Sequence, residues 1–247
     1  MNRSIRVLLA VATAGLAGAC EKSDMPIKTS SMDGVNTSPS ASAADARGTS
    51  MVRVVNAVSE GPDVSVQLGG QTLFGQVMQS AVTDYQEVAL NLAQFAVHVQ
   101  GVPDGMMLAE KDRMLLDGSR YTVFLVADDS TKRSLRIVRD HVIPDSGKAR
   151  LRVLHAAPNA SGLDFSIAGS KDKLFSDVSF KNEAGYADVV PGKVSLEVRG
   201  KDTPTVLLRI ANLDLRRSTA TTVVITGTGK LKFFTFTDAL MAPVVAP

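Results

Sequence analysis

His155 and Asp164 are the residues in this 247-residue chain whose types and spacing come nearest to an acid–base pair. A carboxylate that orients an imidazole lets the ring take a proton from water or a nucleophile, the chemistry of a hydrolase-like periplasmic or surface enzyme. An earlier stretch repeats the pattern with Asn56 and Asp63 in their places. Asn shares hydrogen-bonding capacity with His but cannot act as a base. No Gly-x-Ser-x-Gly elbow is present to supply a nucleophile. A polar side chain that pins the loop after a strand accounts for both copies. The sequence therefore predicts no catalytic residues, and a structural loop or ligand site at His155, Asp164, Asn56 and Asp63.

The remaining chemistry is thinner. His98, His141 and His155 are the three histidines, and they show no His-x-His or His-x-x-x-His spacing. Asp128-Asp-Ser130 and Lys171-Asp-Lys173 are poor calcium loops. The expectation is no metal and no cofactor. Gly227-Thr-Gly-Lys230 lacks the four residues between glycines and the following helix that a phosphate loop needs, and a strand-like Leu231-Lys-Phe-Phe-Thr-Phe236 follows. It reads as a hairpin turn. Tyr85 and Tyr186 recur at one position and read as core or corner tyrosines bonding backbone, not as a stacking platform. Met106, Met107 and Met114 read as core filling rather than soft-metal ligands.

The elements that position these residues are duplicated. Val52-Arg-Val-Val-Asn-Ala-Val-Ser59 has a twin in Leu151-Arg-Val-Leu-His-Ala-Ala-Pro158. After the first come Asp63-Val-Ser-Val66, Leu73-Phe74, Tyr85 and Phe95-Ala-Val-His-Val99; after the second come Asp164-Phe-Ser-Ile167, Leu174-Phe175, Tyr186 and Val194-Ser-Leu-Glu-Val198. Apolar residues alternate with period two, the half-buried strand pattern, between turns such as Gly69-Gly70, Pro103-Asp-Gly105, Asp117-Gly-Ser119 and Asp128-Asp-Ser130. Met106–Leu116 has helix-favouring composition, yet its counterpart Pro204–Ile210 looks like strand, so both are expected as strands. The fold expected is all-β: two tandem Ig-like antiparallel β-sandwich domains over residues 51–142 and 149–238, an internal duplication, with an apolar tail at 239–247.

The N-terminus gives the address. Arg3 and Arg6 precede an apolar run, Val7–Leu16, too short to span a bilayer, and Ala17-Gly-Ala19 leads to Cys20, the single cysteine. Residues 1–19 thus read as a lipoprotein signal peptide and Cys20 as the lipidation site, holding the protein to a membrane through its acyl chains. The usual lipobox leucine is displaced by one place, to Leu16. Glu21 after the cysteine resembles an outer-membrane sorting signal, should the host be Gram-negative. The chain carries 27 Lys and Arg against 25 Asp and Glu, and Arg3 and Arg6 are the charges lost with the signal, so the mature protein is formally neutral. No nucleic-acid partner follows from that balance. Residues 20–50 are rich in Ser, Thr, Ala and Asp and read as a flexible, disordered tether.

The run Val/Leu-Arg-Val-x-His/Asn-Ala, then Asp with alternating strand, Leu-Phe, Tyr and Pro191-Gly192 resembles a bacterial domain-of-unknown-function family. Its all-β domains occur in tandem in exported and surface-anchored lipoproteins. Copy one departs from it with Asn56 for His, Ser59 for Pro and Asn91 for Gly. The resemblance implies fold and location and carries no catalytic residues. The function expected is a non-catalytic binding, adhesion or scaffold module of the cell envelope, with an envelope protein or polysaccharide as partner. The alternatives are the enzyme built on His155 and Asp164, and a subunit of a surface assembly.

Overall fold

The computed structural model describes residues 48–89, 92–102, 106–128 and 132–239. The expected signal peptide, Cys20, the tether up to residue 47, Asn91, turn residues 103–105 and 129–130, and the tail from residue 240 lie outside the described residues.

Copy one has strands β1 (Thr49–Asn56), β2 (Val64–Leu68), β3 (Gln71–Val77), β4 (Gln86–Ala89), β5 (Leu92–Val99), β6 (Met107–Met114), β7 (Arg120–Ala127) and β8 (Arg133–Arg139). Copy two repeats the order with β9 (Ala149–His155), β10 (Leu163–Ile167), β11 (Phe175–Val178), β12 (Glu183–Val189), β13 (Gly192–Gly200), β14 (Val206–Leu215), β15 (Thr219–Thr226) and β16 (Lys232–Ala239). Gly69 and Gly70 turn β2 into β3 with φ of 56° and 80°, the left-handed pair that a two-residue hairpin requires. The helix-favouring Met106–Leu116 stretch is strand β6, held across β5 by pairs such as Phe95 with Lys111 and Val97 with Ala109. Tertiary pairing here outweighs local propensity.

Each copy is a sandwich of two four-stranded sheets, β4-β1-β7-β8 on β3-β2-β5-β6 and β12-β9-β15-β16 on β11-β10-β13-β14. The antiparallel expectation holds for all pairs but one in each copy. β1 runs parallel to β7, and β9 parallel to β15, with Arg53 beside Thr122 and Arg152 beside Thr222. Five strands separate the partners of each parallel pair, enough chain for the crossover that a parallel pairing needs.

β1, β7, β9 and β15 are buried on both faces. Val52, Val54, Tyr121, Val123 and Leu125 pack inside copy one, while Leu151, Val153, Val223 and Ile225 pack inside copy two. The opposite faces form a third core, in which Val55, Phe124, Val126 and Val138 meet Leu154 and Val224, with Phe234 and Phe236 against them. The β1-containing sheet of copy one and the β9-containing sheet of copy two therefore stack face to face, giving four layers. Fully burying a side chain such as Phe124 or Leu154 contributes about 1.5–3 kcal/mol.

Charge is built into that apolar interface. Arg53 of copy one makes a two-pronged ion pair with Asp238 of copy two, at 2.6 and 2.8 Å. Arg152 of copy two reaches back to Asp140 of copy one at 2.7 Å. Arg53 and Arg152 occupy the same register position, beside Thr122 and Thr222, whose hydroxyls accept their Nε–H groups at 2.9 and 3.1 Å. Asp140 and Asp238 are equivalent too, opposite Arg120 and Ala220. Each copy thus gives an arginine to the other's carboxylate. The Thr122 hydroxyl passes its proton side to Asp140 at 2.7 Å. Arg53 lies over Tyr85 and Phe236, at 4.4 and 4.6 Å from the ring centroids, and Arg152 over Tyr186 at 4.7 Å and Phe124 at 5.5 Å. Among the described residues Arg152 Nη2 has no hydrogen-bond partner, and these ring faces are what the cation meets instead.

Met106, Met107 and Met114, expected as core filling, are exposed, and the tyrosines require a correction too. Among the described residues both hydroxyls meet a carboxylate and not backbone: Tyr85 donates to Asp140 Oδ2 at 2.9 Å, and Tyr186 sits 3.5 Å from Asp140 Oδ1. Burial, reinforced by Asp140, pushes both phenols above their usual range, so both remain protonated donors.

Removing Asp140 leaves Arg152 buried with the longer 3.5 Å contact to Glu183 as its remaining ion pair. Asp140→Leu is expected to cost about 3–5 kcal/mol, whereas Asp140→Leu combined with Arg152→Met recovers most of the loss. Urea unfolding of the two variants and the parent measures both; equal losses in the single and double variants would show that the pairing carries no energy.

Candidate ligand site at the junction of the copies

Asn56 closes β1 and His155 closes β9, and both side chains are fully buried. Asn56 Oδ1 accepts the N–H of Val58 at 3.2 Å, and its amide donates to the Val77 carbonyl at 3.3 Å. His155 does the same work with a ring: Nδ1 accepts the N–H of Ala157 at 3.2 Å, and Nε2 lies 3.0 Å from the Ser161 carbonyl. A ring nitrogen that accepts a backbone N–H carries no proton, which places the proton on Nε2, where it is donated to Ser161. The edge of Phe180, 5.9 Å away between centroids, closes the ring off. Burial pushes the His155 pKa below its usual value, against the opposing pull of the Ser161 and Ala160 carbonyls.

Asp164 does not touch His155. Its oxygens accept the N–H groups of Asp177 at 2.8 Å and Asp202 at 3.1 Å, and Lys173 Nζ sits 2.8 Å away. Burial opposes ionisation, but Lys173 and the two backbone donors outweigh it and hold the carboxyl below the usual range. Asp63 accepts Gln76 Nε2 at 2.9 Å, tying the start of β2 to β3. The four residues singled out in the sequence thus form two pairs of loop anchors. They do not form a catalytic dyad.

The loops these anchors shape come together. Residues 58–60 of copy one and 158–159 of copy two border a cleft of about 340 Å³, lined by Val58, Ser59, Glu60, Pro158, Asn159 and Thr228 together with Arg133. Asn159 donates to the Thr228 carbonyl at 2.5 Å, which sets the β15–β16 turn as one wall. Close by, Lys181 of copy two pairs with Asp128 of copy one at 2.9 Å, and Ser134 donates to the same Asp128 oxygen. A serine, a glutamate, an asparagine and an arginine can hydrogen-bond a ligand here, but the cleft holds no histidine to activate Ser59. Among the described residues, no group of three or more His, Cys, Asp or Glu is gathered for a metal. The sequence pointed to the loop ends beyond the twin anchors but did not single out Glu60 or Asn159; Ser59 stood out only as a departure from the motif and Thr228 only within the Gly227–Lys230 turn.

Because Asn56 already does in copy one what His155 does in copy two, His155→Asn is expected to cost about 1 kcal/mol and His155→Ala about 2–4. The neutral buried imidazole also sets a pH dependence. The unfolded chain takes up a proton near the ordinary 6.5, while the folded ring does so only lower, so stability is full above 6.5 and falls as pH drops below it. Unfolding free energies from pH 8 to 5 measure this, and the part of the slope due to His155 vanishes in His155→Asn. An unchanged slope would contradict the assignment.

Comparison with known proteins identifies the repeat. The model of the domain of unknown function DUF4397 matches twice, over residues 50–166 and 151–245. Among solved structures, the chain is similar to the family CBM26 module of Eubacterium rectale Amy13K in complex with maltoheptaose, at 12% identity and a TM-score of 0.26, over 79% of this chain and 98% of that one. It is also similar to a candidate cell adhesion protein from Bacteroides fragilis, at 10% identity and a TM-score of 0.20, over 79% and 100%. Similarity at that level carries no functional argument. No curated protein matches the sequence. The two matches account for both sandwiches, and the chain belongs to the DUF4397 family, with two copies of its domain.

Proposed function

We propose that this protein is a cell-envelope lipoprotein, anchored through Cys20 and carried on the segment of residues 20–50, whose paired sandwiches act as a non-catalytic binding module. The observation that carries the reading is the state of His155, buried with both ring nitrogens held by backbone groups. The residue best suited to acid–base chemistry is used to shape a loop. What the paired loops leave open is a cleft lined for hydrogen bonding, where a partner in the envelope, protein or polysaccharide, would be taken.

The anchor is tested by the intact mass of the mature protein extracted from membranes. A species beginning at Cys20 with added acyl chains, absent in Cys20→Ser, is the expected result. A soluble product cut elsewhere would remove the anchor. The binding reading is tested by cross-linking in whole cells through a photoreactive residue at position 159. A discrete adduct with an envelope component is expected, and Glu60→Gln should weaken it.

A further inference from the structure

The two copies differ along one edge. In copy one, Leu135 and Ile137 of β8 are buried in the core, with Leu108 and Ala109 of β6 packed against that core. The register places Leu135 opposite Leu125 and Ile137 opposite Val123; in copy two, Phe233 is opposite Ile225 and Thr235 opposite Val223. Phe233 and Thr235 therefore stand where Leu135 and Ile137 stand. They are not buried: Phe233 is 41% exposed, and Thr235 and Thr237 are exposed. Across from them β14 bulges. Val194 pairs with Leu213 and Leu196 with Ile210, so three residues of β14 span two of β13, and Asn212 takes a left-handed φ of 55°. The matching stretch of copy one has no such bulge, Phe95 pairing with Lys111 and Val97 with Ala109.

Where copy one is sealed, copy two has a groove of about 250 Å³ between β14 and β16. Phe233 presents a ring to it. Thr235 and Thr237 supply hydroxyls, Thr237 already sharing a 3.1 Å hydrogen bond with Thr221, and Asn212 and Asp214 line the opposite side. Asp214 and Arg216, both at the groove, lie 3.9 Å apart and offset one another's charge.

We propose that this groove is a binding site for a neutral saccharide. An exposed aromatic ring stacks on the C–H face of a pyranose, and amide, carboxylate and threonine groups exchange hydrogen bonds with its hydroxyls. A balanced lining favours a neutral sugar over an anionic one. An apolar ligand would make no use of the Thr235 hydroxyl and the Asn212 amide that line the groove. The inference adds a second site to the binding module proposed above and rests on that reading only in being non-catalytic.

The test is built from copy one's own residues. Phe233→Leu with Thr235→Ile restores the sealed pattern and is expected to leave the unfolding midpoint the same or higher. Full-length protein is titrated on an array of immobilised neutral oligosaccharides of glucose, galactose, mannose and N-acetylglucosamine. Binding by the parent, weakened about tenfold or more in the double variant and unchanged by Glu60→Gln at the junction, supports the site. Binding lost in Glu60→Gln but not in the double variant would move the sugar to the junction cleft and overturn the groove while leaving the binding module intact. No binding by the parent overturns the proposal. So does concentration-dependent self-association that the double variant abolishes, which would give the open edge of β16 to a second copy.

Discussion

The structure depends on an exchange of buried charges. Arg53 and Arg152 occupy the same position in two copies of one domain, and each finds its carboxylate, Asp238 or Asp140, in the other copy. A guanidinium in the middle of a strand buried on both faces would be prohibitive alone. Within one copy the arginine has a threonine beside it and a tyrosine ring over it, but neither neutralises its charge. Stacking the sheets supplies both counter-charges and buries the apolar surface around them. Glu183, 3.5 Å from Arg152, adds a further carboxylate; burial pushes its pKa up against the pull of Arg152 and Arg136. A buried ion pair adds little net stability over an apolar substitute, so its contribution here is register. One face-to-face arrangement satisfies all four charges, and a slipped one strands them.

That constraint links packing to function. Because the inner sheets are locked, the loops after β1 and β9 are presented side by side, and the cleft between them is a property of the pair. Asn56 and His155 set those loops in similar ways: each accepts the N–H two residues on and donates to a backbone carbonyl, that of Val77 at the end of β3 for Asn56 and that of Ser161 in the following loop for His155. The conversion of an amide into an imidazole is therefore an exchange of two hydrogen-bonding shapes, and no titrating group is gained at the surface. The copies differ instead along the β8 and β16 edges, where Phe233 and Thr235 of copy two stand at the register positions of Leu135 and Ile137 of copy one.

Much of this was legible beforehand. The all-β class, the duplication and the strand identities follow from period-two alternation and the twin motifs. The stacking of the copies was also written in the sequence, in a form that alternation hides. Tyr121-Thr-Val-Phe-Leu-Val-Ala127 is a nearly continuous apolar run, and Thr221-Thr-Val-Val-Ile-Thr226 sets three consecutive apolar residues between threonines; neither alternates, which marks strands covered on both faces. The arginine inside each Arg-Val motif was a second sign, since a charge there needs a partner. What could not be read was which partner: Asp140 and Asp238 are the residues just past β8 and at the end of β16, and nothing local distinguishes them from other surface carboxylates. A ligand site at the loop ends beyond Asn56 and His155 was expected; its lining was out of reach for the same reason, because Glu60 and Asn159 acquire neighbours only after the copies have docked.

The most direct test of the account is whether the two copies unfold as one. Hydrogen exchange followed by mass spectrometry along a urea titration reads each copy separately, through peptides covering β5 around Phe95 and β13 around Leu196, both fully buried. The exchanged charges predict one midpoint for both peptides, and an Asp140→Asn substitution in copy one that moves them down together. Two separate midpoints, or a shift confined to the β5 peptide, would contradict the central claim.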